Sequence, residues 1–237
     1  MGLGLISYKM NKETNEIVVQ VASENHLPYV ETILETIAAA AKVRGTGIAR
    51  RTPEYITSKM REGKAIIALH EEEFAGFCYI ETWGNKQFVA NSGLIVVEKF
   101  RGHGLAKKIK ERAFRLSRER YPNAKIFGLT TGLAVMKINS ELGYKPVTFS
   151  ELTDDEAFWK GCESCVNYDI LQRTGRKHCL CTGMLYNPAW NNKKQIAKEV
   201  NHPQSVVKKG IKAIGKAILP KKKEGKIASN KLIVSLL

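Results

Sequence analysis

The chain of 237 residues has no apolar run near the 18 or so residues that a membrane-spanning helix needs. Its first residues, MGLGLISYKMNKETNE, lack the basic start and apolar stretch of a secretory signal. The myristoylation pattern is also missing, because Ile6 stands where Ser or Thr is required and Ser7 comes one place late. These absences predict a cytoplasmic protein whose five cysteines are reduced. No internal repeat is present, which excludes a solenoid. Neither common nucleotide fingerprint is met. No Gly-Lys-Ser/Thr follows the glycine-rich segment, and Lys107 stands where a dinucleotide fold needs a third small residue.

What is present is an ordinary globular composition, 43% apolar and 26% charged, long enough for one domain and an appendage. The net charge of +15 is uneven. Residues 188–237 hold 12 Lys and 2 Glu, so +10 belongs to the tail and only +5 to the rest. The basic character therefore says little about the folded part.

Alternation and helical spacing predict β1 at 17–22, a helix over 26–42, and a second helix from Thr52-Pro53 to about Gly63. Strands follow at 64–69, 74–83 and 87–97, then an amphipathic helix over 104–121 and a strand at 125–130. A helix at 133–142, a short strand at 145–149, an irregular cysteine-bearing segment at 151–176 and a last strand at 179–187 complete the order. This order predicts an α+β fold around one sheet, with a right-handed crossover between 87 and 130.

The most informative stretch is Gly93-Leu-Ile-Val-Val-Glu-Lys-Phe-Arg-Gly-His-Gly-Leu-Ala106. A strand runs through a glycine-bearing loop directly into a long helix. Amides at a helix start lack internal partners and the helix dipole favours an anion there. Gly102 and Gly104 let the main chain approach a phosphate, and Arg101 adds a fixed positive charge. The physics predicts a phosphate or pyrophosphate site.

Arg101-Gly-His-Gly104-Leu-Ala106 resembles the Arg/Gln-x-x-Gly-x-Gly/Ala motif of the GNAT N-acetyltransferase family, and elements over 17–149 follow that family's order. The resemblance implies a mixed, mostly antiparallel central sheet flanked by helices and splayed at the acyl-CoA site. It implies acetyl-CoA as co-substrate, with its pyrophosphate on Arg101, Gly102, His103, Gly104, Leu105 and Ala106. Its pantetheine arm would lie along Leu94, Ile95, Val96 and Val97. It divides the chain into an N-terminal extension (1–16), an acyltransferase domain (17–188, with a cysteine-containing insertion at 151–181) and a basic tail (189–237). The family's helix ending Tyr-x-x-x-Gly-Phe here reads Asn139-Ser-Glu-Leu-Gly143-Tyr144. Asn139 thus replaces the tyrosine that protonates the departing thiolate; Asn has no proton to supply but can donate a hydrogen bond.

Attack on a thioester needs a neutral amine, and so a base. Glu81 and Glu98 are the candidates, Glu81 preferred because its strand is otherwise apolar and aromatic. Arg44, Arg50 and Arg51, on a loop that in this fold lies over the acceptor, suit a small acidic amine, and Asn91 and Ser92 are further candidate contacts. The chain is similar to bacterial members associated with arginine biosynthesis, which implies N-acylation of glutamate from acetyl-CoA or succinyl-CoA. A non-catalytic acyl-CoA-binding module is the competing reading.

Cys162-x-x-Cys165 and Cys179-x-Cys181 provide four thiols that could hold a structural zinc ion, with buried or redox-active thiols as the alternative. In the tail Val207, Ile211, Ile214 and Ile218 share a helical face amid lysines. That pattern suits an anionic membrane, nucleic acid, an acidic protein, or no partner at all, although no aromatic residue interleaves those lysines to support base stacking. A homodimer is a further expectation.

Overall fold

The protein is described by a computed structural model over residues 16–44 and 51–190. The expected N-terminal extension and basic amphipathic tail lie outside the described residues. One unit runs to Pro188, and a second begins at Ala189. Among the described residues no helix is long and apolar enough to cross a membrane.

Strand β1 (Ile17–Val21) leads into a 3-10 segment, Glu24–Tyr29, and then α1 (Val30–Arg44). A single helix is expected from residue 26, but Pro28 has no amide to donate, so the regular α-helix starts only after it. Helix α2 (Pro53–Arg61) begins as its sequence predicts, with Pro53 at the first position and the Thr52 side chain accepting from the Tyr55 amide. Strands β2 (Ala65–His70), β3 (Glu73–Trp83) and β4 (Phe88–Val96) form an antiparallel meander. Helix α3 (Leu105–Arg120) crosses to β5 (Lys125–Thr130), which pairs parallel to β4 as expected of a crossover. Then follow α4 (Leu133–Glu141), β6 (Lys145–Val147), α5 (Glu156–Lys160), α6 (Tyr168–Arg173) and β7 (Thr182–Tyr186). The sheet order is β1-β2-β3-β4-β5-β7-β6, and β4–β5 is its single parallel pair.

Each face of the sheet carries its own core. Ile33, Ile37, Ile56 and Met60 of α1 and α2 pack with Phe77, Tyr79 and Ile95. On the other face Leu105, Ile109, Ala113 and Leu116 of α3 pack with Cys78, Ile80, Val89 and Ile126. The alternation of Phe77 and Tyr79 against Cys78 and Ile80 along β3 is the period-two pattern of a strand covered on both sides.

The segment after β6 holds two short helices where the sequence suggests irregular chain. Its aromatic residues fix it to the sheet: Phe158 packs edge-on against Trp83 and Phe127, and buried Trp159 donates from Nε1 to the Thr153 carbonyl at 2.8 Å. The Asp155 carboxylate caps α5 through the Ala157 amide and also accepts from the Gly84 amide at 3.0 Å, joining the segment to the β3–β4 turn. Asp155→Ala should lower unfolding free energy by about 1–2 kcal/mol. Urea melts would measure this, and an unchanged midpoint would show that the aromatic contacts alone hold the segment.

Candidate active site

The parallel ladder between β4 and β5 is short. It joins Phe88, Val89 and Ala90 to Lys125, Ile126 and Phe127, then stops, although β4 continues to Val96 and β5 to Thr130. Beyond Asn91 and Gly128 the strands leave a gap. On its other side β4 is irregular too. Phe77 pairs with Ile95 and Tyr79 with Ser92, so Gly93 and Leu94 together oppose Cys78. This is a bulge, and it takes main-chain groups out of the ladder beside the gap. Gly93 sits at φ +67°, and a Cβ there would stand 2.7 Å from the Tyr79 ring.

At the end of β4 a tight turn carries the chain to the glycine loop. The Phe100 amide donates to the Val97 carbonyl and the Arg101 amide to that of Glu98. Gly102 and Gly104 adopt φ +83° and +76°, with open space where side chains would be. Gly104 is the residue before α3, so unpartnered amides at the helix start face outward there. Arg101 Nε donates to the Val96 carbonyl at 3.0 Å and fixes its charge beside the loop. Leu105 is buried and anchors the helix start, whereas His103 is exposed on the loop. The Ile95 and Val96 side chains belong to the core, so a ligand along β4 would meet their main chain. Val97 packs partly against the same core as Ile95, and Leu94 lines the gap.

A cavity of about 430 Å³ passes through the gap. On the α2 side it is lined by Arg51, Tyr55, Tyr79, Glu81 and Ser92. Glu81 receives two hydrogen bonds, from Lys59 Nζ at 2.5 Å and from the Tyr55 hydroxyl. Arg51 Nε donates to the Tyr79 hydroxyl at 2.7 Å, and its guanidinium lies 5.1 Å and 5.6 Å from the Tyr55 and Tyr79 ring centres. Burial pushes the Tyr55 phenol far above its ordinary value, so it remains a donor to Glu81 at any working pH. The sequence singles out Glu81 and Arg51 but misses Tyr55 and Lys59, which reach the site only because α2 crosses β3.

On the α3 side lie Asn91, Lys110 and Asn139. Asn91 is expected to touch the acceptor, but its amide is already engaged: Nδ2 donates to Ser117 at 2.9 Å and Oδ1 accepts from the Tyr144 hydroxyl at 3.0 Å. Those two bonds brace the floor of the gap, where Asn91 also lines the cavity. Asn139 is buried, and its Oδ1 has no hydrogen-bond partner. Lys110 is 2% exposed, and burial pushes its ammonium down to about 8. Sequence reading overlooks Lys110, yet Lys110 and Ser117, seven residues apart, are polar interruptions of the otherwise apolar inward stripe of α3.

Other candidates fall elsewhere. Glu98 is exposed on the turn after β4 and does not line the cavity. Arg44 is the last residue of α1; its side chain, and Arg50, lie outside the described residues. Cys162, Cys165, Cys179 and Cys181 do share one cavity wall, all as free thiols. However, among the described residues no group of three or more His, Cys, Asp or Glu is arranged to hold a metal ion. The four thiols nevertheless lie near one another, with Cys181 beside Cys179 and facing Cys165 and Cys162, but they are not set out as a ligand group in this structure. Cys165 Sγ accepts from the Asn167 amide, Cys179 Sγ faces the Asn167 carbonyl, and aromatic packing holds the segment. Burial pushes the Cys162 and Cys181 thiols up to about 11 and about 12. Cys78 is wholly buried in the core.

Residues 51–136, which span α2, the bulged β4, the glycine loop and α3, match the family model for acetyltransferases of the GNAT family. Over these residues the chain is similar to the GNAT acetyltransferase family. Solved structures with the same fold include N-acetylglutamate synthase from Neisseria gonorrhoeae, complexed with coenzyme A and N-acetyl-glutamate. It is 13% identical with a TM-score of 0.51, over 73% of this chain and 35% of that one, so this chain spans about a third of that enzyme. Rv2747 from Mycobacterium tuberculosis, in complex with CoA, is 15% identical with a TM-score of 0.51, over 72% of this chain and 98% of that one. Diaminobutyrate acetyltransferase from Paenibacillus lautus, with L-2,4-diaminobutyric acid and coenzyme A, is 12% identical with a TM-score of 0.50, over 73% and 96%. No curated protein sequence matches the chain. At these identities the likeness is one of fold. The matched residues include β4, with its open side toward β5, and the loop at 101–106.

Proposed function

We propose that this GNAT domain transfers the acetyl group of acetyl-CoA to the α-amine of a small acidic amino acid, with glutamate the first choice. The observation that carries this reading is the division of the cavity. The glycine loop and α3 lie towards one face of the gap, and the Arg51–Tyr55–Glu81 cluster lines the other. A thioester entering from the α3 side would present its carbonyl carbon to an amine arriving from the α2 side. Arg51 gives that side a guanidinium suited to a carboxylate. Glu81, oriented by Lys59 and Tyr55, gives it a carboxylate to take the amine's proton, directly or through water. The pyrophosphate would sit on the amides following Gly102 and Gly104, with Arg101 beside it. That two structures of the same fold were solved with amino-acid ligands supports an amino-acid acceptor.

The test is an assay of free thiol release with acetyl-CoA and, separately, succinyl-CoA against a panel of amino acids. Glutamate or aspartate should exceed alanine and lysine by at least about tenfold in kcat/KM, the effect of about 1.4 kcal/mol in transition-state binding. Equal turnover of glutamate and alanine would remove the acidic acceptor. No turnover with any amine would remove the catalytic reading.

A further inference from the structure

Lys110 is a lysine where the inward stripe of α3 is otherwise apolar. It is 2% exposed, and among the described residues it has neither an ion-pair nor a hydrogen-bond partner. Its Nζ lies 5.5 Å from the Tyr144 ring centre and only 3.8 Å from the point where a side chain on Gly128 would begin. Gly128 is the β5 residue at which the ladder to β4 has just ended. The missing side chain therefore leaves the ammonium facing the gap, and Lys110 lines the cavity there. Asn139, on α4, lines the same cavity with a buried, unpartnered Oδ1. A buried ammonium without a counter-charge and an unpartnered amide oxygen in the wall of the same cavity call for polar atoms supplied by a ligand.

We propose that Lys110 is the catalytic acid that protonates the departing sulfur of coenzyme A. This inference rests on the acetyl-CoA reading above. The neutral amine attacks from the α2 side and forms the C–N bond. Collapse of the tetrahedral intermediate breaks the C–S bond, and the electron pair goes to sulfur on the α3 side. Lys110 gives its proton to that sulfur and becomes a neutral amine. The proton lost by the attacking nitrogen goes to Glu81, and solvent later restores the proton on Lys110. The chain lacks a tyrosine at 139, and Asn139 cannot donate a proton in this step, but the ammonium can.

The groups facing Lys110 are the Cys78 thiol from β3 and the face of the Tyr144 ring after α4, with Tyr186 of β7 behind Tyr144. Burial raises Cys78 to about 11 and Tyr144 well above its usual range. Neither titrates near the pH at which Lys110 does.

The experiment has two arms. The first measures, by calorimetry at pH 7.5, the binding of coenzyme A and of desulfo-coenzyme A to the full chain. Coenzyme A should bind about tenfold more tightly, because the ammonium stabilises the thiolate form. In Lys110→Met, whose apolar side chain replaces an unpartnered charge, the two should bind alike. The second arm measures kcat with the best acceptor of the amino-acid panel. It should fall about 100-fold in Lys110→Met with little change in KM for acetyl-CoA. The decline in wild-type kcat above pH 8 should be absent from the variant. Equal binding of the two nucleotides by the wild type would overturn the role of Lys110 and leave the acetyl-CoA reading standing. If neither binds, both fall.

Discussion

Glu81→Gln should lower kcat by about 100-fold or more while leaving the affinity for acetyl-CoA unchanged. The glutamine keeps the shape and can still accept one hydrogen bond, but it cannot take a proton. Glu81 sits on the α2 face of β3, away from the glycine loop, so the cofactor should not sense the change. Lys59→Met is the informative companion. Lys59 is buried and bonded to Glu81 at 2.5 Å, so its loss should lower kcat less than Glu81→Gln does, by loosening the carboxylate without removing it. Steady-state kinetics over pH 6–9, with calorimetric binding of acetyl-CoA, measure both. If Glu81→Gln retains more than about a third of wild-type kcat, the proton must leave through solvent alone.

The second large effect is on stability. At neutral pH Lys110→Met should be more stable than the wild type, and the margin should close by about 3 kcal/mol between pH 8 and 10.5. The sign follows from proton counts. The Lys110 ammonium is pushed down to about 8 when folded and returns to an ordinary lysine value near 10.5 when unfolded. Between those values the unfolded chain holds one more proton at this group than the folded chain, so its contribution to stability rises with pH. Below pH 8 both forms are charged and the full penalty of the buried ammonium remains. The comparison must be made between variant and wild type. Three thiols, buried Cys78 and half-buried Cys162 and Cys181, are shifted upward and weaken the fold above pH 9 in both proteins. Urea melts at pH 7.5, 8.5 and 9.5 would give the difference. A constant margin would mean that Lys110 folds with an ordinary proton affinity.

The sequence revealed the elements whose signals are local. The Thr52-Pro53 start of α2, the β5 limits and the Arg101–Ala106 loop can be read from adjacent residues, because caps, alternation and glycine torsions are decided within a few positions. Features that depend on pairing between distant strands were hidden. The bulge at Gly93-Leu94 and the end of the β4–β5 ladder arise from register, which no single strand encodes. The same holds for the site. Glu81 was visible as a lone acid on an apolar strand, but its partners Tyr55 and Lys59 lie 26 and 22 residues away and looked like routine helix residues. Asn91 stood out as a candidate hydrogen-bonding contact to the acceptor, but its tertiary contacts with Ser117 and Tyr144, which engage both ends of its amide, were hidden. The cysteine spacing suggested that the four thiols come together, but the contacts of Phe158, Trp159 and Asp155 that fix the segment to the sheet were hidden.

The brief union of β4 and β5 has a consequence for local opening. Main-chain bonds join β1–β4 to β5, β7 and β6 over only three register positions. Helix α3 packs against β4 and Ile126 alike, and with this short seam it ties the two parts together. Amide hydrogen exchange should therefore show the β5–β7–β6 ribbon losing protection as a cooperative block below the global unfolding energy. Coenzyme A, wedged in the seam, should slow exchange on both of its banks at once.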